Sequence, residues 1–340
     1  MTKLRANQNH KHDCFESATK QTQKGDLMNN FICPDCKNEV RLNAKKLVCT
    51  GCNRVFNWDT SVIEMLPKKL EKNYEDIAWK TLPYEGIKKP AWMALLHKKD
   101  RIMYFYERIL PKVNFNGKVL EVGAGTCWVS ALIKKKHQNS LVVASDVSPY
   151  ALEKGQKISS ILESTVDYTI ACDVKSLPFS DEYFDVVLSN ATIHHFPDPQ
   201  RGVCEMYRVL KKGGKCYALG EVAAGIPFKT ILTSQIGFAG KRAKSLEIEE
   251  KIYSLTQWKR FFETSGFSEI TVEFDKTWKH KLYNLFVALY YVGLSYIPNI
   301  LIGNFLPCNI DFYATKTNSF ALPYLDKIQQ YRTPKEVNNS

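Results

Sequence analysis

The residues that could do chemistry cluster in one run. Gly123 and Gly125 lie in Val119–Thr126 together with the acid Glu121, and Asp146 and Asp173 follow downstream. Glycine has no Cβ, so a turn built from it can approach a ligand closely. A helix starting just past the turn would aim its unpaired N–H groups and positive dipole end at that ligand. An acid about 20 residues further on, at the end of the next strand, can accept from both hydroxyls of a ribose. The pattern predicts a nucleoside cofactor at the carboxyl edge of a parallel sheet. A dinucleotide fits poorly, because Trp128 occupies the third glycine position of such a turn. Bulk there obstructs helix–strand packing and pyrophosphate approach. Glu121 would also repel a pyrophosphate, whereas it can receive a cationic amino group.

A second constellation lies nearer the N-terminus. Cys33 and Cys36 are separated by 12 residues from Cys49 and Cys52. Two such knuckles supply four thiolates for a tetrahedral site suited to structural Zn²⁺. Four sulfurs leave no open position for catalysis. Gly51 is expected to supply a positive φ in its knuckle. A module under about 40 residues has too small a core to fold unaided, and zinc binding can decide its folding. The other six cysteines are scattered and form no disulfide framework, which points to a reducing, cytoplasmic compartment.

Around these groups the hydrophobic pattern predicts a sequence of elements. Residues 1–28 read as a disordered polar tail, 29–66 as the cysteine module and 67–115 as a connector. The connector holds one helix, from Ala91 to Leu110, with Trp92, Leu95, Leu96, Ile102, Met103, Tyr106 and Ile109 at helical spacing. Residues 116–320 alternate strands and helices, the signature of an α/β fold with a mostly parallel sheet. Residues 321–340 read as a tail. Strands are expected at Lys118–Val122, Leu141–Ser145, Val166–Ala171, Phe184–Ser189, Lys215–Leu219, Ser268–Phe274 and Asp311–Lys316. Helices are expected at Thr126–Lys136, Pro149–Leu162, Gln200–Leu210 and Thr256–Ser265.

Five stretches together resemble the class I S-adenosylmethionine-dependent methyltransferases, in particular the group that holds quinone-biosynthesis and other small-molecule enzymes. They are Val119–Thr126, Ser145–Ser148, Ala171–Phe179, Phe184–Phe196 and Glu205–Gly214. The likeness is close over about 115–220 and loose over 256–317. It implies a Rossmann-like sheet whose last strand runs antiparallel. It also implies that Glu121, Gly123 and Gly125 face the methionine part of the cofactor. Asp146 would hold the ribose, Val147 would pack on the adenine, and Asp173 would accept from the adenine amino group with Val174 beside it. Asn190 and Ala191 would lie near the sulfonium. Helix N-capping or a loop role is the alternative for Asp146 and Asp173. The cysteine module resembles the zinc ribbons that head some methyltransferases, and the zinc-ribbon activators of tRNA, rRNA and release-factor methyltransferases.

Methyl transfer needs a base only if the acceptor must lose a proton. His194 and His195 are the candidates, because imidazole titrates near neutrality, with His195 placed first. Packing and positioning is the competing role for both. The Asn/Asp-Pro-Pro-Tyr signature of amino-group methylation is absent, Asn190–Ile193 standing in its place.

Two insertions, 221–255 and 275–310, leave from the cofactor edge and are placed to cap the acceptor. Leu282 to Ile310 is 29 residues without a charge. Both its ends belong to one sheet, so crossing a membrane would take two spans of roughly 20 residues each, more than the segment holds. An apolar lid, a peripheral membrane contact through 282–310 or plain core packing remain, and the first implies an apolar acceptor. Tyr283, Phe286, Tyr290, Tyr291 and Tyr296 would then line or shield it. The net charge of +12 is concentrated in residues 1–120, where 22 Lys/Arg face 13 Asp/Glu. That imbalance, with the cysteine module, keeps an RNA base methyltransferase in play as an alternative to a small or lipid-like acceptor methylated at O or C. A non-catalytic scaffold is the third reading, and the complete set of cofactor residues weighs against it.

Overall fold

In a computed structural model the described residues are 25–43, 46–58, 60–70, 79–80, 88–225, 251–275, 293, 296–299, 301–302 and 306–317. The central sheet is built from β5 (Ile63–Glu64), β6 (Lys118–Val122), β7 (Leu141–Asp146), β8 (Tyr168–Ala171), β9 (Phe184–Asn190), β10 (Leu210–Ala223), β11 (Ser268–Asp275) and β12 (Cys308–Thr315). Its order is β11-β12-β10-β9-β6-β7-β8-β5. Among the described strands only β12 runs against its neighbours, pairing antiparallel with both β10 and β11. The expected Rossmann-like sheet with an antiparallel last strand is therefore present. Two strands are longer than their apolar runs suggested. The ladder carries β10 on to Ala223 through a register shift between Ala218 and Glu221, and β12 starts at Cys308.

Strand alternation divides the core in two. Val119, Val142, Val186 and Leu188 face one side, where α3 (Trp128–Lys136) and α4 (Pro149–Ile161) supply Trp128, Val129, Ile133 and Ile158. Leu120, Val122, Val143 and Val187 face the other, packed by α5 (Pro199–Val209) and α6 (Leu255–Ser265) through Met206, Tyr207, Trp258 and Phe262. Each such side chain withdrawn from water contributes about 1.5–3 kcal/mol. The helices begin where their caps dictate. Ser148 and Asp198 cap α4 and α5 with a proline following each, and Ser254 forms a capping box with Gln257 at α6. Gly266, at φ 97°, ends α6 in the left-handed region.

The connector departs from the expected single helix. It is broken at Lys98 into α1 (Ala91–His97) and α2 (Lys99–Tyr104), continued by a wider π-turn over Phe105–Ile109. Its buried side, Ala94, Phe105 and Ile109, joins the α3–α4 face of the core. Tyr104 Oη donates to Asp311 Oδ2 at 2.6 Å, tying the end of α2 to β12. Asp311 also accepts from Gly220 N, and burial pushes its carboxyl up to about 6.

The N-terminal module is a four-stranded antiparallel sheet of β1 (Phe31–Ile32), β2 (Glu39–Asn43), β3 (Lys46–Cys49) and β4 (Val55–Phe56). It is fused to the main sheet rather than appended to it. Ile63 and Glu64 pair with Ile170 and Ala171 as a parallel edge strand. Ile32 N donates to Pro178 O and Ser180 N to Asn30 O. Phe31 packs on Phe179 with ring centroids 5.8 Å apart. The expected disordered tail is corrected at its end: residues 25–28 form a helical turn with Leu27 and Met28 buried. Residues 1–24 lie outside the described residues, as do 321–340.

A buried ion pair braces the loop after β8. Arg208 donates to both oxygens of Glu205, to Phe179 O and Leu177 O, and to Asp181, while Glu205 Oε2 also accepts from Leu177 N. Replacing one member leaves the other buried and unpaired, which costs about 3–5 kcal/mol. Arg208→Met is expected to lower stability by that amount in urea unfolding, far more than removal of the exposed pair Arg41–Glu39.

Candidate active site

The glycine turn joins β6 to α3, as anticipated. Gly123 and Gly125 have φ values of 69° and 49°. A Cβ on Gly123 would overlap Thr192, and one on Gly125 would sit 2.9 Å from the Trp79 ring. Cys127, also left-handed, is the N-cap of α3. Asp146 at the end of β7 accepts from Gly125 N at 2.8 Å through Oδ2 and from Ser148 N at 2.9 Å through Oδ1. It thereby pins the turn to the neighbouring strand. Burial pushes its carboxyl up, against the pull of those backbone N–H groups.

Glu121 is buried beneath the turn, where Ser130 donates to its Oε2 from both N and Oγ. Burial raises its pKa to about 7, with Asp146 adding to the rise, while the Ser130 bonds and the Lys98 charge oppose it. Asp173 accepts from Lys175 N at 2.9 Å and caps the 3-10 turn Val174–Ser176, so the capping role weighed for it is realised. Val147 and Val174 are half-buried beside the two acids. Asn190 ends β9, and Ala191 follows at φ 51°, its N–H held by Leu219 O. Thr192 Oγ1 donates to Gly123 O, closing this corner onto the glycine turn.

Three participants escaped the sequence reading. Glu221 is fully buried. Its Oε1 accepts from Thr192 N and Ile193 N, both at 2.9 Å, and its Oε2 lies 2.6 Å from His194 Nδ1. A carboxylate partner thus stands at His194, and the first-placed His195 lies against it with ring centroids 4.0 Å apart and planes tilted by 42°. Lys98, at the helix break, opposes the upward push that burial gives both Glu121 and Asp146, and its Nζ is 5.8 Å from the Trp79 ring centroid. Trp79 itself lies over Gly125. A signal for Glu221 existed in the sequence: an acid directly after Gly220, where the apolar run of β10 ends.

In the N-terminal module the four sulfurs of Cys33, Cys36, Cys49 and Cys52 lie within 4.8 Å of one another. Cys36–Cys49 is 3.2 Å and Cys33–Cys52 is 3.7 Å. A tetrahedron with metal–sulfur bonds of about 2.3 Å has edges of about 3.8 Å, so the donor set fits such an ion. The left-handed residues of the knuckles are Lys37 and Asn53, not Gly51. Gly51 is glycine for space: a Cβ there would overlap the Asn38 amide. The insertion residues Tyr283, Phe286, Tyr290 and Tyr291 lie outside the described residues, and Tyr296 is exposed. Among the described residues no helix is long and apolar enough to cross a membrane.

Comparison with known proteins agrees with this geometry. Residues 120–218 match the family model described as a methyltransferase domain. The demethylmenaquinone methyltransferase of Staphylococcus epidermidis is 32% identical over 174 residues, covering 47% of this chain and 71% of that protein. A 2-methyl-6-phytyl-1,4-hydroquinone methyltransferase of Arabidopsis thaliana is 37% identical over 105 residues, 31% of this chain and 30% of that protein. The chain thus spans under a third of the length of that plant relative. The fold is shared with geranyl diphosphate C-methyltransferase from Streptomyces coelicolor A3(2), at a TM-score of 0.51 and 14% identity, covering 72% of this chain and 98% of the other. The chain belongs to the class I S-adenosylmethionine-dependent methyltransferases.

The buried Glu121 has a measurable consequence. Its folded pKa stands above the ordinary carboxylate value, so without ligand it favours the fold at low pH, and that contribution is lost as pH rises from about 4.5 through about 7. A cationic ligand beside it would reverse the balance by favouring the ionised form. Binding of S-adenosylmethionine near pH 7 is therefore expected to release a proton, with affinity rising as pH climbs through neutrality. Calorimetry in buffers of different ionisation enthalpy measures the release directly, and Glu121→Gln should abolish it.

Proposed function

We propose that the protein transfers a methyl group from S-adenosylmethionine to a ring carbon or an oxygen of a small, apolar, quinol-like acceptor. The observation that carries this reading is the His194–Glu221 pair, held beside the corner where Thr192 bonds Gly123. A bound S-adenosylmethionine supplies a methyl group whose bond to sulfur breaks with the electron pair left on sulfur, and alignment is the protein's main task. Glu121, Gly123 and Gly125 would receive the methionine part, with Lys98 opposite its carboxylate. Asp146 and Val147 would take the ribose and one face of the adenine, Asp173 and Val174 its edge, and Asn190 and Ala191 would flank the sulfonium.

With Nδ1–H donated to Glu221, neutral His194 carries its lone pair on Nε2. That nitrogen would accept the hydroxyl proton of a phenolic acceptor, making the ring electron-rich enough to attack the methyl carbon. The names of the menaquinone and hydroquinone relatives support an acceptor of this kind. Cys33, Cys36, Cys49 and Cys52 would hold a structural Zn²⁺ in a zinc ribbon. A cytoplasmic place of action, peripheral to the membrane that dissolves such acceptors, is consistent with this reading.

The test is transfer of labelled methyl from S-adenosylmethionine into fractionated extract, with Asp146→Ala as control. Label in the organic-soluble fraction, lost in the control, is the expected outcome. Label in RNA would overturn the acceptor class and turn the module into a substrate-binding element.

A further inference from the structure

Helices α1 and α2 are apolar on two sides. The inner side of α1 packs against α4, and Phe105 of the π-turn meets Trp128 of α3 edge to face. The outer side carries Trp92, Leu96, Met103 and Tyr106, which are 56%, 61%, 43% and 58% exposed. Trp92 and Leu96 lie one turn apart on α1, Lys99 and Met103 one turn apart on α2, and Tyr106 follows in the π-turn, an exposed stripe of five residues. Four are large and apolar, and the fifth is Lys99. Exposed Lys88 and Lys89 precede the stripe and Lys99 lies on it, while exposed Arg101, Arg108 and Glu107 stand off it. Surface helices of globular proteins place charge, not tryptophan and leucine, on the side away from the core.

We infer that this face docks on an anionic lipid surface. An apolar stripe of Trp, Leu, Met and Tyr with one lysine on it and two ahead of it is a composition that lies in the headgroup plane, where long Lys side chains reach back to phosphate. The charge complementarity selects an acidic membrane over a neutral one. The place of the stripe gives it a purpose. Lys98 lies at the break between the two helices and acts electrostatically on Glu121 and Asp146, so the element that meets the lipid also borders the cofactor site. The docking supplies the source of an apolar acceptor and rests on the proposed acceptor class only for that purpose. Binding itself does not depend on it.

Sedimentation of the full-length, zinc-loaded protein with vesicles of phosphatidylglycerol, against vesicles of phosphatidylcholine, tests the inference. Preferential binding to the anionic vesicles, weakened by salt, is expected. Trp92→Glu/Leu96→Glu should reduce it at least about tenfold, and Lys89→Glu/Lys99→Glu should remove the anionic preference. S-adenosylmethionine affinity should be unchanged in both variants, which certifies their folding. Equal binding to the two lipids, no binding, or undiminished binding by both variants would overturn the inference. Undiminished binding together with loss on deleting 282–306 would assign the contact to the apolar insertion instead. Methylation of a detergent-dispersed quinol keeps the two readings apart. If wild type and variants methylate it equally while vesicle binding fails, only the docking is wrong. If vesicles bind and no acceptor is methylated, only the acceptor class is wrong.

Discussion

Removing the Zn²⁺ proposed for the four-cysteine module is expected to weaken cofactor binding as well as to unfold the N-terminus. The module's few buried side chains run into the main core, and metal binding at neutral pH can contribute about 10–16 kcal/mol to a small zinc domain. What it holds when folded is the segment 168–180. Ile63 and Glu64 pair with its first strand, Met65 N donates to Ala171 O, and Ile32 N to Pro178 O. Lys37, in the first knuckle, donates to Ser176 Oγ. Ser176 belongs to the turn that Asp173 caps. Loss of the module therefore loosens the loop proposed to read the adenine, which keeps the Arg208–Glu205 brace and the Arg201 bond to Lys175 O. Cys33→Ser/Cys49→Ser is expected to lose stoichiometric zinc by elemental analysis and to melt at a lower temperature. It should also bind S-adenosylmethionine at least about tenfold more weakly, a difference of about 1.4 kcal/mol. Metal-free protein that keeps full affinity would show that the module folds for some other purpose.

This coupling was not legible in the sequence, although its parts were. Cys33, Cys36, Cys49 and Cys52 announce a site by spacing, because a tetrahedral ion needs paired knuckles whatever surrounds them. Ile63 and Glu64 announce nothing: a two-residue strand has no period, and its partner Ile170 is over 100 positions away. The sheet was readable because each buried strand is a short apolar run and each helix begins at a cap. Asp146 and Asp173 were placed by their position after such runs. Position fixed the backbone they sit on but not the N–H groups they accept from. The sequence predicts one helix over Ala91–Leu110 because apolar residues recur throughout it. Two apolar faces produce the same recurrence as one, so the pattern concealed both the break at Lys98 and the exposed stripe. Trp79 and Lys98 were out of reach for a simpler reason. They approach Gly125 and Asp146 from a segment that no local pattern links to the glycine turn.

Glu221→Gln is expected to lower kcat by on the order of 100-fold or more while leaving cofactor affinity and the fold nearly intact. The amide oxygen can still accept from Thr192 N and Ile193 N, so the corner at Asn190–Ile193 keeps its geometry. What changes is the atom facing His194 Nδ1. A carboxylate oxygen accepts a proton there, whereas an amide nitrogen donates one, which forces the imidazole into the tautomer protonated on Nε2. That nitrogen can then no longer take a proton from the acceptor. The defect should appear in kcat rather than in KM, because neither residue is placed to hold the ground-state acceptor. His194→Ala should cause a loss of similar size, and the double variant should be no worse than either single change, as for groups that act as one unit. His195→Ala provides the contrast. Its ring lies tilted against that of His194, so a smaller loss from poorer positioning is expected. Glu221→Ala would instead strip acceptors from two backbone N–H groups and cost about 1–3 kcal/mol of stability for each group left unsatisfied, confusing folding with catalysis. Should Glu221→Gln turn over within threefold of wild type, proton removal by His194 is excluded. The pair would then serve to hold the Asn190–Ile193 corner against the glycine turn, and the acceptor would be one that needs no base.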